Sequence, residues 1–403
     1  MRRHLLVTND FPPKIGGIQN YLWELWRRLP AGAAAVYTTP YSGTAAFDAR
    51  QPFPIERSPE PWLIPYPWLT SRVRRMALEA ECDLVLLDPA IPLGVIGPGL
   101  DLPYGVILHG AEVTIPGRLP ALRQTLARTL RAASLVVSAG HYALAEAERC
   151  AGRSLPSIVI PPGVDSQRFS PPSPDARAKT RARYGVGADD ILLATVSRLV
   201  PRKGMETLIR ASAEVARRHS ASPSGFASAG SASRPGSASA GSGPGFRVVI
   251  GGTGRQAGEL AALASELAAP VDLPGRLGDD EVVDLYGAAD LMAMLCNERW
   301  FGLEQEGFGI VFLEAAAVGL PQVAGRSGGA HEAVEHEVTG LIVDDPGDIS
   351  AAAEAIERLI DDADLRHRLG RAARRRAVEE FDYSRLAGQL QGAIDSCDLR
   401  PPR

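Results

Sequence analysis

At 403 residues and 45% hydrophobic content the chain is too long for one comfortable core and apolar enough for two, so two domains of ordinary size are expected. A net charge of −4 shows no basic excess of the kind a nucleic-acid binder carries, and nucleic acid is excluded as the expected partner. Four scattered cysteines, Cys82, Cys150, Cys296 and Cys397, contain no C-x-x-C pair, which argues against a disulfide framework or a zinc site and fits a reducing cytoplasm.

The apolar run at Met1 to Asp10 is too short for a secretory signal, and no window approaches about 18 uninterrupted apolar residues. A cytoplasmic protein is expected, peripheral on a membrane at most. In chain order, residues 4–8 read as a strand, followed by a Pro-Pro loop, the pair Gly16-Gly17 and a helix over 18–29. Further strands are predicted at 83–87, 105–109 and 135–138, and a second series at 191–196, 247–250, 290–295 and 322–324, with helices between. Such alternation implies two doubly wound α/β units with parallel sheets. Pro and Gly near 160–165 mark the join, and 383–394 reads as a terminal helix. Residues 219–245, almost wholly Ser, Ala, Gly and Pro, read as a disordered insert within the second unit.

Several positions could carry chemistry. Gly16-Gly17 would let the main chain approach a phosphate, or simply form a turn; the spacing is not a dinucleotide fingerprint. His109 ends a predicted strand, as a structural histidine or a site residue would. Arg118, Arg123, Arg128 and Arg131 interleave with leucines as in a basic amphipathic helix, suited to an anionic surface or to an outer helix packed on its sheet. Arg198 and Lys203 follow the 191–196 strand, at the carboxyl end where ligands of open α/β folds sit. Gly251 to Gly254 reads as a strand-to-helix turn, and Arg326 to Gly329 as a turn or a pocket loop. Glu306, Gly307, Phe308, Gly309 and Ile310, continuing to Glu314, place a carboxylate on either side of a helix start; a phosphorylated sugar suits this, and so does a capping Glu with a solvated neighbour.

Taken together, Gly16-Gly17, His109, Arg198, Lys203 and the Glu306…Glu314 element resemble the retaining glycosyltransferases of family 4 in motif order along nearly the whole chain. The runs at 9–21 and 197–204 look most like actinobacterial mannosyltransferases acting on phosphatidylinositol mannosides. The resemblance implies the GT-B architecture, two Rossmann-like domains facing a cleft: an acceptor domain at 1–165, a donor domain at 166–382, and a terminal helix at 383–403 packing back on the first. It further implies a nucleotide-sugar donor, GDP-mannose, and a lipid-linked or glycan acceptor, with neither cofactor nor metal.

By the same resemblance Gly16 and Gly17 meet the distal phosphate, Arg198 and Lys203 the diphosphate, and Gly275, Arg276 and Leu277 the base. His109 and Glu306 meet the sugar, Gly307 to Ile310 line the donor, Glu314 meets the ribose, and Asp10 and Gln19 meet the acceptor. His331 stands where relatives carry proline, and the Ser/Gly-rich insert is foreign to the pattern. The alternatives are a UDP-sugar transferase of envelope glycans, a nucleotide-sugar epimerase and a non-catalytic sensor; the last would usually have lost one of Arg198, Lys203, Glu306 or Glu314.

Overall fold

A computed structural model of the chain describes residues 1–221, 245–298 and 308–399. It divides into two compact units, Met1–Gly163 with Phe381–Arg403, and Val164–Glu380. The boundaries at 163/164 and 380/381 each fall two residues earlier than the sequence suggests.

The first unit is built on β1 (His4–Thr8), β2 (Ala34–Thr38), β3 (Ile55–Arg57), β4 (Leu84–Asp88), β5 (Tyr104–Leu108), β6 (Leu135–Ser138) and β7 (Ser157–Val159). All pair in parallel in the order β3-β2-β1-β4-β5-β6-β7. The central strands are continuous apolar runs such as Leu84-Val85-Leu86-Leu87 because helices cover both faces and no position faces water. In this register Thr8 pairs with Thr38 on one side and Asp88 on the other.

The second unit repeats the plan with β8 (Ile191–Val196), β9 (Phe246–Gly251), β10 (Val271–Gly275), β11 (Leu291–Met294), β12 (Gln322–Gly325) and β13 (Gly340–Val343), in the order β10-β9-β8-β11-β12-β13, again all parallel.

Three local expectations need correction. The first helix runs Gly17–Trp26 and stops short of Leu29, just before Pro30. Helix Met205–Ala221 continues past 219, where the insert was expected to begin; 222–244 lie outside the described residues. The arginine-bearing segment 118–131 is two helices, Ala111–Arg118 and Pro120–Ala132, because Leu119 is extended and Pro120 starts a new first turn. Of its leucines, Leu126 and Leu130 are buried in the sheet-facing core, whereas Leu119 and Leu122 are exposed.

Helix Tyr383–Ser396 begins at Asp382, whose carboxylate caps the Ser384 N–H. It buries Tyr383, Leu386, Ala387, Leu390 and Ile394 among Leu6, Tyr21, Trp26 and Val137. The Arg2 guanidinium donates to Ile394 O at 3.0 Å, fastening its end beside β1. Among the described residues no helix is long and apolar enough to cross a membrane. Because the Leu390 side chain is wholly buried, Leu390→Ala should destabilise the first unit by about 2–5 kcal/mol. Urea unfolding with a probe confined to that unit would measure this.

Candidate functional site

Crossovers in an open parallel sheet diverge from one reversal point, and the gap outside the carboxyl ends of the two strands there admits a ligand. In the first unit this point lies between β1 and β4. The Thr8 hydroxyl donates to Asp88 Oδ2 at 2.5 Å, and Asp88 Oδ1 lies 2.6 Å from His109 Nε2. Asp88 is wholly buried and the His109 side chain nearly so. Burial alone would lower the His109 pKa; the charge and hydrogen bond of Asp88 outweigh it and raise it to about 9. The ring is therefore an imidazolium at neutral pH, with both nitrogens protonated.

Its setting is closely held. Glu112 accepts from the backbone N–H of His109 at 2.5 Å and of Gly110 at 3.0 Å, and the Tyr21 ring meets the imidazole edge-on at 5.9 Å. Tyr21 is fixed in turn by donating to Ile160 O at 2.7 Å. After β1, Gln19 Nε2 donates to Asp10 Oδ1 at 2.6 Å, so the two residues expected to meet the acceptor meet each other. Burial, then the neighbouring Asp88 charge, raises the Asp10 pKa above the ordinary range. Gly16 immediately precedes the helix that Gly17 opens, and a Cβ at Gly16 would come within 2.1 Å of Gln19 Oε1. Lys14 donates to Asn9 O at 2.9 Å and Thr39 Oγ1 at 2.6 Å, and stands 5.2 Å over the Trp62 ring; burial lowers its pKa.

In the second unit the reversal lies between β8 and β11. Arg198 is exposed just past β8, and its guanidinium makes no hydrogen bond or ion pair with a described residue. Lys203 is buried in the short turn Pro201–Lys203. Gly204 then takes a left-handed φ of +67°, and a Cβ there would lie 1.8 Å from Leu295 O. The loop is thus pressed against the chain leaving β11, where Asn297 N donates to Arg202 O at 2.9 Å.

On the other side, Cβ atoms at Gly252 and Gly254 would fall 1.9 Å from Ser197 O and 2.2 Å from Leu199 O. The Gly251 to Gly254 run is a turn pressed onto the Arg198 loop. Gly275 closes β10 with φ +82° and accepts from Gly252 N at 2.7 Å; Leu277 packs over Gly251, and Arg276 is exposed. Arg326 pairs with Asp344 at 2.6 Å.

Glu306 and Gly307 lie outside the described residues. Phe308 is buried, Gly309 caps helix Ile310–Ala317 in the left-handed region, and Ile310 is its first residue. Glu314 is half-buried on this helix; burial raises its pKa to about 7, against the opposing pull of Arg168. The structure brings together Asp10, Gln19, Gly16 and His109 in the first unit. In the second, Arg198, Lys203 and Gly275 to Leu277 gather around the end of β8, with the Glu314 helix following β11.

Sequence reasoning missed Asp88, Thr8, Lys14 and Glu112. A signal existed for Asp88: an acid ending the apolar run Leu84 to Leu87 marks a carboxyl at a sheet edge. Glu112, three residues after His109, is spaced as a helix-start acceptor.

Two doubly wound parallel units, each with cations or an acid–histidine pair at the reversal point of its sheet, are the plan of the GT-B fold. The family models agree: "Glycosyltransferase Family 4" matches residues 15–168 and "Glycosyl transferases group 1" residues 176–376. The chain belongs to this glycosyltransferase family. Within it, the chain is 35% identical over 402 residues to the GDP-mannose-dependent alpha-(1-6)-phosphatidylinositol monomannoside mannosyltransferase of Mycobacterium tuberculosis H37Rv, covering 97% of both chains. The protein of the same name in Mycolicibacterium smegmatis is 36% identical, over 96% of this chain and 98% of its own. In the fold alone, Anabaena HepE solved with UDP is similar at a TM-score of 0.77 and 23% identity, covering 98% of this chain and all of that one.

Two titrations test the electrostatics. Asp88→Asn should bring the His109 pKa well below about 9, since burial is then opposed only by the charges of Glu112 and Asp10; NMR titration of the ring measures it. The raised value means the pair's stabilisation is full below pH about 6.5 and fades as pH rises through 9, and this fading should shrink and move to lower pH in the variant. Glu314 carries the sign of an acid whose folded pKa is raised: its stabilising protonation is complete below its unfolded value, about 4.3, and is lost as pH climbs through about 7. Glu314→Gln should remove that loss, so its thermal midpoint should decline less than the wild type's between pH 5 and pH 8.

Proposed function

We propose that this chain transfers mannose, with retention of anomeric configuration, from GDP-mannose to a phosphatidylinositol mannoside. The observation that carries the reading is identity of 35–36% over 96–97% of this chain to relatives named for that donor and acceptor. Arg198 and Lys203 hold the diphosphate and offset the negative charge that grows on it as the sugar leaves. Gly16 and Gly17 give the distal phosphate backbone access, and Gly275 to Leu277 hold the base through main-chain groups. His109, kept protonated by Asp88, donates from Nδ1 to a sugar hydroxyl; a cation beside an oxocarbenium-like transition state acts by orienting that hydroxyl and the departing phosphate.

Glu306 takes the sugar hydroxyls, Phe308 to Ile310 line the donor, and Glu314 takes the ribose. The Asp10–Gln19 pair meets the inositol. The leaving phosphate accepts the acceptor's proton on the face it departs from, so no side-chain nucleophile is assigned. Fixed cations supply the charge stabilisation that a divalent metal supplies elsewhere, and neither metal nor other cofactor is assigned. The protein meets its lipid acceptor as a peripheral protein at an anionic membrane, through the arginine-bearing segment 118–131.

Isothermal titration with GDP and with UDP, both in EDTA, is the test of the donor. Binding of GDP in preference to UDP is the expected result; preference for UDP, or a strict need for Mg²⁺, would overturn it. Glu306→Ala should then reduce mannosyl transfer by about a hundredfold or more while leaving GDP affinity nearly unchanged. Unaltered turnover would remove Glu306 from the site.

A further inference from the structure

Asp10 stands just past β1, and the first sheet extends from there in two directions. On one side are β4 and β5, whose carboxyl ends carry the Asp88–His109 pair. On the other are β2 and β3, and there the cation is Lys14. Its ammonium donates to Asn9 O at 2.9 Å and, at the end of β2, to Thr39 Oγ1 at 2.6 Å. It lies 5.2 Å from the centre of the Trp62 ring, in the segment that follows β3. Burial and the Asp88 charge raise the Asp10 pKa, and the charges of Lys14 and His109 both pull against that rise. Asp10 thus lies within the field of a cation on either side.

Lys14 differs from the neighbouring cation. Arg57, at the end of β3, is paired with Asp48 at 2.6 Å and donates to Thr39 O at 3.0 Å and Pro12 O at 2.7 Å. Its charge is matched. Lys14 has two neutral acceptors, an aromatic face and, among the described residues, no carboxylate within ion-pair distance. An ammonium has three N–H donors, so one remains. Burial lowers the Lys14 pKa and Asp10 offsets this only in part, the mark of a cation that has lost water without gaining a counter-charge. An anion beside it would reverse that loss.

The side chain is also held in a fixed frame. Asn9 donates to Leu63 O at 2.8 Å and accepts from Leu63 N at 2.7 Å, which ties the Trp62 segment to the loop after β1. Arg57 holds the carbonyl of Pro12, two residues before Lys14. Trp62 is 63% exposed, so the ammonium sits beside open ring surface. A cation positioned in advance, with a donor left over, binds an anion with little further loss of side-chain freedom.

We propose that Lys14 determines acceptor specificity by binding the phosphodiester of the acceptor headgroup. The assignment rests on the phosphatidylinositol mannoside reading of the acceptor and adds which way the headgroup lies. With the inositol on Asp10 and Gln19, the hydroxyl that receives the sugar faces the β4–β5 side, where His109 stands. The phosphate faces the β2–β3 side, where Lys14 stands. The donor's diphosphate offers the same chemistry, and titration separates the two.

The full chain is titrated calorimetrically with glycerophosphoinositol, the deacylated form of phosphatidylinositol, with myo-inositol, which lacks the phosphate, and with GDP. No lipid surface is present, so attraction to a membrane does not enter. Wild type is compared with Lys14→Met, with Lys14→Arg, and with the control Arg74→Gln, which removes one charge from an exposed ion pair of the same unit. Retention of the His109 titration near pH 9 verifies that each variant keeps this edge of the sheet folded.

Wild type should bind glycerophosphoinositol at least about tenfold tighter than myo-inositol, the worth of one hydrogen bond to a charged group. Lys14→Met should lose that preference, while Lys14→Arg and Arg74→Gln keep most of it and GDP affinity stays within about twofold of wild type throughout. No preference in wild type, or an undiminished one in Lys14→Met, overturns the proposal. So does an equally deep loss in Lys14→Arg or Arg74→Gln. A matching loss of GDP affinity in Lys14→Met places the ammonium on the donor and overturns it too. The transferase reading is tested separately, because a chain that prefers UDP or transfers no mannose can still show the phosphate preference.

Discussion

Asp88 is the constraint on which the first unit turns. A carboxylate removed from water is costly unless its lone pairs are taken up, and here a hydroxyl from the strand on one side and an imidazole from the strand on the other do so. That arrangement ties the carboxyl ends of β1, β4 and β5 together. It also decides the charge of His109, because the imidazolium gains more from Asp88 than it loses by burial. Asp10, pushed up first by burial and then by the same negative charge, accepts a hydrogen bond from the Gln19 amide.

The second unit fixes its loops with backbone instead of charge. Gly204, Gly252 and Gly254 each approach a carbonyl more closely than any Cβ permits, and Gly204 and Gly252 also have left-handed φ. The Arg198 loop is consequently clamped between the turns that follow β9 and β11, while its guanidinium stays free of described partners. A cation on a rigid loop reaches an anion without first paying its own ordering entropy.

The strands that were legible in the sequence are those whose burial leaves a continuous apolar run: residues 4–8, 135–138 and 191–196 coincide with β1, β6 and β8. Of those unflagged, β13 does carry an apolar run, Gly340 to Val343, that went unread, and the other four lack that signature for identifiable reasons. β3 and β7 are three-residue edge strands with half-exposed positions, β2 lies in an alanine run that reads equally as helix, and β10 contains Asp272 and Pro274. Arg198 and Lys203 were legible because both follow a clear strand, and the helix start at Ile310 because Gly309 announces it. Asp88 escaped because its importance is a matter of pairing across strands far apart in sequence. No local pattern announces that Thr8 and His109 will stand on either side of it.

The two edges of the first sheet handle charge in opposite ways. At the carboxyl edge Asp88 and His109 neutralise each other and the backbone groups around them are used up, so what faces outward is a specific donor on a fixed ring. At the amino edge, guanidinium groups are anchored to carbonyls or left without described partners, and no carboxylate is supplied to match their number. The first arrangement suits recognition of a neutral hydroxyl, where direction matters and net charge does not. The second leaves cations whose field is screened over about 8–10 Å at ordinary ionic strength. The acid–histidine pair thus sits outside the carboxyl ends of β4 and β5, and the arginines outside the amino ends of the neighbouring β6 and β7.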